Sequence, residues 1–93
     1  MTLKKYVIER DIPGIEQANA EQLKDAAKTS NAALAQVGAE HVQWVESFVV
    51  KDKTFCIYLA EDEDAIREHA RISGFPANRI TEVAAGISPK TAG

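Results

Sequence analysis

Cysteine, tryptophan and long apolar runs are scarce in this 93-residue chain, which has one Cys, one Trp, three Pro and five Gly. The lone Cys56 excludes an internal disulfide framework and a zinc site built from cysteines alone. The longest clean apolar run, Phe55 to Ala60, is far short of the ~20 residues that cross a bilayer. Basic residues are also few: 11 Lys and Arg stand against 14 Asp and Glu, for a net charge of −3. That balance argues against binding a nucleic-acid backbone, which favours a basic surplus. No Gly-rich phosphate loop, G-x-S-x-G elbow or C-x-x-C pair appears, and the two histidines form neither H-x-H nor H-E-x-x-H. Motifs therefore leave any catalytic residues unknown. Glu9, Arg10 and Asp11 come before a signal-peptide core could form, so a cytoplasmic location is expected.

What is present is hydrophobic content of 45% in a chain of ordinary single-domain composition. One domain spanning 1–93 is expected, with residues 89–93 as a frayed tail. A domain this small buries only about 60–65% of its unfolded surface, so an uncovered apolar face calls for a partner.

Leu3 to Asp11 reads as a strand through Tyr6, Val7 and Ile8. Ile12-Pro13-Gly14 ends it, with Pro and Gly suited to the two centre positions of a type II turn. A helix follows over Ala20–Val37. Asn19 and Gln22 have capping-box spacing, and Gly38 stands where a left-handed residue ends a helix. Leu23, Ala26, Ala27, Ser30, Leu34 and Val37 make its inward face. Val42 to Lys51 and Lys53 to Ala60 read as a hairpin, and the second of these is apolar enough to be central. A second helix over Glu63–Ser73 starts at a capping Asp62 and stops at Gly74 and Pro76. Arg79 to Ile87 reads as the last strand.

The order β-α-β-β-α-β is the split βαβ pattern of an α+β, ferredoxin-like fold. Right-handed crossovers put both helices on one face of a four-stranded antiparallel sheet and leave the other face open. Hairpin register decides what that open face carries. A two-residue loop pairs Trp44, Glu46 and Phe48 with Phe55, Ile57 and Leu59. A three-residue loop, Lys51-Asp52-Lys53, pairs them with Cys56, Tyr58 and Ala60. The second is favoured, because the first would bury Glu46 in the helix-facing core at a cost of several kcal/mol.

In that register the open face shows Trp44, Glu46, Phe48, Cys56 and Tyr58, an apolar patch too large to leave in water. It reads as a homodimer interface, as a ligand pocket within one, or as both. Glu46 among aromatics could act as acid, base or ligand, or could form a salt bridge. Cys56 is a soft metal ligand when deprotonated and otherwise a small buried hydrophobe. Tyr58 could donate to a bound carbonyl or simply pack. His69 lies on the inward stripe of the second helix, as a structural residue or a ligand. The acidic run Glu61 to Asp64 complements the helix dipole and makes that terminus a poor phosphate site.

Five segments carry a resemblance that covers nearly the whole chain. They are Lys5-Tyr6-Val7-Ile8-Glu9-Arg10-Asp11-Ile12-Pro13-Gly14, Gln43-Trp44-Val45-Glu46-Ser47-Phe48-Val49, Phe55-Cys56-Ile57-Tyr58-Leu59-Ala60, Ile66-Arg67-Glu68-His69-Ala70 and Gly74-Phe75-Pro76-Ala77-Asn78-Arg79-Ile80. Together they resemble a small bacterial family long labelled a domain of unknown function, whose members include a nickel-binding protein. The resemblance implies a ferredoxin-like fold paired into a dimeric α/β barrel and a nickel-binding or nickel-responsive role. The ligand set expected for a divalent metal is Glu46 with His69, Cys56 or Glu9. The alternative is a small-molecule binder or enzyme with Trp44, Glu46 and Tyr58 in a pocket at the sheet interface. A third reading is an interaction module without chemistry.

Overall fold

A computed structural model describes residues 2–93. Its main elements are β1 (Lys4–Asp11), α1 (Ala20–Val37), β2 (Val42–Val50), β3 (Lys53–Ala60), α2 (Glu63–Ser73) and β4 (Arg79–Glu82). The strands form one antiparallel sheet in the order β2-β3-β1-β4. The architecture is the expected ferredoxin-like α+β fold.

Local signals act as their chemistry predicts. Gly14 takes φ 78° and ψ 6°, and Ile15 N–H donates to the Ile12 carbonyl at 3.1 Å, which makes the type II turn. Asn19 and Gln22 exchange side-chain and backbone hydrogen bonds at 2.8 and 2.9 Å, the full capping box. Asp62 accepts from Ala65 N–H at 2.9 Å to cap α2, and Gly74 ends it with φ 81°.

Both helices lie on one face of the sheet, where Tyr58 of β3 meets Ser30 of α1 and His69 of α2. The core on that side joins Tyr6, Ile8, Val42, Cys56, Tyr58, Ala60, Ala65 and Ile66. β3 alternates strictly: Thr54, Cys56, Tyr58 and Ala60 are buried, while Phe55, Ile57 and Leu59 keep partial exposure. The last three, with Val7 and the half-exposed Phe48, form the open face.

Two expectations change. The hairpin loop has two residues, because Val50 pairs with Lys53. Asp52 takes φ 62° there, a conformation Asp tolerates because its short side chain can bond to nearby backbone. Its carboxylate accepts from Gly14 N–H at 2.9 Å, which ties the hairpin tip to the turn after β1. β2 also carries a bulge between Trp44 and Glu46, so Trp44 pairs with Tyr58 while Glu46 pairs with Ile57. One extra residue, Val45, lets the indole face the helices and keeps the carboxylate out of the core. The second change is β4, which stops at Glu82 instead of Ile87. Val83 N–H still donates to Lys5 at 2.8 Å, but the following Ala84-Ala85-Gly86 has little β preference. The tail forms one exposed 3-10 turn over Pro89–Ala92.

Candidate functional site

The two-residue loop and the bulge together divide the five residues expected to share one pocket. Glu46 and Phe48 are exposed on the open face. Trp44, Cys56 and Tyr58 point the other way and line a cavity of about 290 Å³ between the sheet and α1. A pocket made of all five at the sheet interface is therefore corrected: the faces are opposite sides of one sheet.

The four residues expected as metal ligands are also separated. Glu46 is exposed on the open face of β2, and Glu9 stands two strands away, about 10 Å across the sheet. Glu9 is already engaged by Lys53 at 3.2 Å and Arg79 at 3.5 Å. Cys56 is buried on the helix side, and His69 is wholly buried on α2. Among the described residues no three His, Cys, Asp or Glu side chains converge as a metal-binding group. The expected set therefore does not fit a nickel centre within one chain.

The cavity is built from alternation on three strands and the small-residue stripe of α1. Tyr6, Ile8 and Arg10 are the buried positions of β1, so a strand with period 2 carries a guanidinium onto the inward face. Arg10 is only 3% exposed. Its Nη1 donates to the Pro76 carbonyl at 2.8 Å and the Phe75 carbonyl at 3.5 Å, and its Nη2 donates to the Tyr58 hydroxyl at 3.5 Å. The guanidinium also lies 5.7 Å from the Tyr58 ring centre. Among the described residues no carboxylate forms an ion pair with it.

On α1, Ala26 and Ala27 leave space above the sheet, and Ser30 closes the polar end. Trp44 stands in the opposite wall and donates from Nε1 to Ser47 Oγ at 2.9 Å. Ile12, Ile15, Leu23 and Phe75 complete much of the apolar wall. The result is an apolar chamber with a few converging polar groups, the usual form of a small-molecule site.

Behind Tyr58, His69 Nε2 lies 3.3 Å from the Ser30 carbonyl and 3.2 Å from Ser30 Oγ. A carbonyl can only accept, so Nε2 carries the proton and Nδ1 is left as a buried acceptor without a partner. Burial, and then the Arg10 charge, lower the His69 pKa, so the ring is neutral near pH 7. Ser30 and His69 are therefore not a nucleophile–base pair, since the nitrogen facing the hydroxyl is already protonated. Burial raises the Tyr58 pKa, an effect partly offset by Ser30 and Arg10, so its hydroxyl also stays neutral. The second histidine, His41, sits at the far end of the sheet with Nδ1 2.8 Å from Glu61.

Comparison with known proteins places this geometry. A model of the nickel responsive protein SCO4226-like family matches residues 6–83. The chain belongs to that family. The crystal structure of SCO4226 from Streptomyces coelicolor A3(2) superposes with a TM-score of 0.70, covering 89% of this chain and 99% of that one. At 21% identity that likeness establishes the shared fold. No curated protein matches. The four residues expected as metal ligands thus stand apart on two faces of the sheet.

Sequence reasoning does not mark Arg10 and Ser30 as site residues. Ser30 is legible as an inward position of α1, and Arg10 follows from the Tyr6, Ile8, Arg10 alternation. What the sequence does not signal is that no carboxylate among the described residues meets the buried cation.

Proposed function

We propose that this member of the nickel-responsive family acts as a homodimer joined through its open sheet faces, with metal held between the two copies. The observation that carries the reading is the open face itself. Val7, Phe48, Phe55, Ile57 and Leu59 form an apolar centre on a sheet whose other side holds both helices. A stable interface buries about 800 Å² per partner, which the open sheet face and its flanking loops would supply together. Glu46 and Glu9 stand on that same face, so two copies would bring carboxylates together that one copy keeps apart. Carboxylate oxygens accept divalent metals, with less preference for Ni(II) than imidazole has. Nothing in this arrangement requires catalysis. Among the described residues no helix is long and apolar enough to cross a membrane, and a free buried Cys56 suits the reducing cytoplasm in which we place the protein.

Sedimentation and calorimetric titration of tag-free protein with Ni(II), Zn(II) and Co(II) test the proposal. The expected result is a dimer that Ile57→Lys converts to monomer, and Ni(II) binding that Glu46→Gln removes. A monomeric wild-type chain ends the dimer reading. A dimer that gives no heat with micromolar metal ends the metal reading.

A second reading concerns the cavity between the sheet and α1. Its apolar walls and polar end favour a small-molecule binding site within each copy, on the opposite side of the sheet from the proposed interface. It is supported by the cavity alone and is independent of the dimer.

A further inference from the structure

We infer that the cavity between the sheet and α1 takes a small apolar monocarboxylate, with the acid group on Arg10 and the apolar body against Trp44, Tyr58 and Phe75. The inference rests on the cavity reading above and names the ligand class of that site. Two independent observations point to it. One is a chamber of about 290 Å³ with mostly apolar walls. The other is a guanidinium in its wall, 3% exposed, that meets only neutral partners.

A buried cation is normally paired, because taking it out of water without a counter-charge is expensive. Arg10 has two backbone carbonyls and one phenol, which accept its hydrogens but leave its charge uncompensated. An acid bound in the chamber would supply the missing charge through a charge-assisted contact.

The number of charges limits the ligand further. Among the described residues, Arg10 is the only charged one in the cavity lining. A monoanion would be neutralised, whereas a dicarboxylate or phosphate dianion would bury a second charge with no partner. Hydroxyls complete the acid-binding end. The Tyr58 hydroxyl stands next to the guanidinium and reaches Ser30 Oγ, each at 3.5 Å. Beyond this end the wall is Ile12, Ile15 and Leu23, which offers nothing polar to a second head group. A compact aliphatic or aryl acid matches both ends, and a sugar or nucleotide matches neither.

Trp44, the chain's single tryptophan, stands in the cavity wall, so its emission reports occupancy. Octanoate, octanamide and 1-octanol are titrated into the full-length protein at pH 7 and followed by Trp44 fluorescence and by calorimetry, with octanedioate as the dianion. Octanoate is expected to bind about tenfold or more tightly than its neutral isosteres, the usual gain for a charge-assisted bond. Octanedioate should bind more weakly than octanoate. Arg10→Met should abolish the preference for the acid while leaving 1-octanol binding in place.

Equal affinity for octanoate and octanamide in the wild type would overturn the inference and leave the cavity reading standing. Tighter binding of the dianion would overturn it as well. If none of the probes binds, both readings fail. The wild-type comparison is decisive even if Arg10→Met does not fold.

Discussion

Replacing His69 by Gln should change how stability depends on pH, in a direction that follows from burial. His69 is wholly enclosed, faced by Arg10 of β1, Tyr58 of β3 and Ser30 of α1. Protonation would place a second cation near Arg10 and require a hydrogen-bond acceptor at Nδ1, which has no partner. Burial and Arg10 therefore hold the folded pKa below the ordinary value. The unfolded ring titrates near 6.5. As pH falls below about 6.5 the unfolded chain takes up a proton that the folded chain refuses. Stability then drops by up to about 1.4 kcal/mol per pH unit, until the folded pKa is reached. His41 works with the opposite sign. Its bond to Glu61 raises the folded pKa, so its contribution is present below the unfolded value and lost as pH rises through the folded one. It is common to both proteins and cancels in the difference between wild type and His69→Gln. Gln keeps a donor for the Ser30 carbonyl but does not titrate. Urea unfolding at fixed protein concentration, at half-unit steps from pH 8 to 5.5, measures the two curves. The wild type should lose stability relative to His69→Gln by up to about 1.4 kcal/mol per unit below pH 6.5. Parallel curves across that window would refute the placement of a neutral, enclosed His69.

Four further outcomes follow. Ile66→Ala, at a wholly buried core position, should cost about 2–5 kcal/mol by denaturant unfolding. Asp62→Ala removes the cap of α2 and should cost about 1 kcal/mol in the same assay. Gly38 has φ 104°, and a Cβ there would lie 2.7 Å from the flexible Glu40 carboxylate. Gly38→Ala should cost about 1–3 kcal/mol, and adding Glu40→Ala should not recover it, because the strain is in the backbone. Deleting Val45 removes the bulge but keeps Trp44 opposite Tyr58 and Glu46 opposite Ile57. Trp44 emission should therefore be unchanged, and a shift toward that of an exposed indole would show that the bulge does more than add a residue.

Local chemistry makes the element order legible from the residues alone. The Asn19–Gln22 box, Gly38, Asp62 and Gly74 mark both helices, and each acts through groups within a few residues of itself. The continuous apolar run from Phe55 to Ala60 marks β3 as a central strand of the sheet. The end of β4 is only partly legible: Ala84-Ala85-Gly86 has little β preference, but the β-formers Val83 and Ile87 stand on either side of it, and whether they pair depends on the strand beside them. The faces of β2 are hidden for a related reason. A bulge leaves no mark in composition, and without it Trp44, Glu46 and Phe48 must share one side.

The sequence by itself determined a β-α-β-β-α-β frame, its caps and turns, and a sheet with more apolar surface than two helices can cover. Those features depend on neighbours in the chain and on period-2 or period-3.6 patterns. Only the tertiary structure decided that Trp44, Cys56 and Tyr58 turn toward the helices while Glu46 and Phe48 turn away. It alone left Arg10 buried without a counter-charge. Both outcomes depend on register and on distances between segments far apart in sequence. A single inserted residue, Val45, turned Trp44 from the open face to the cavity under α1.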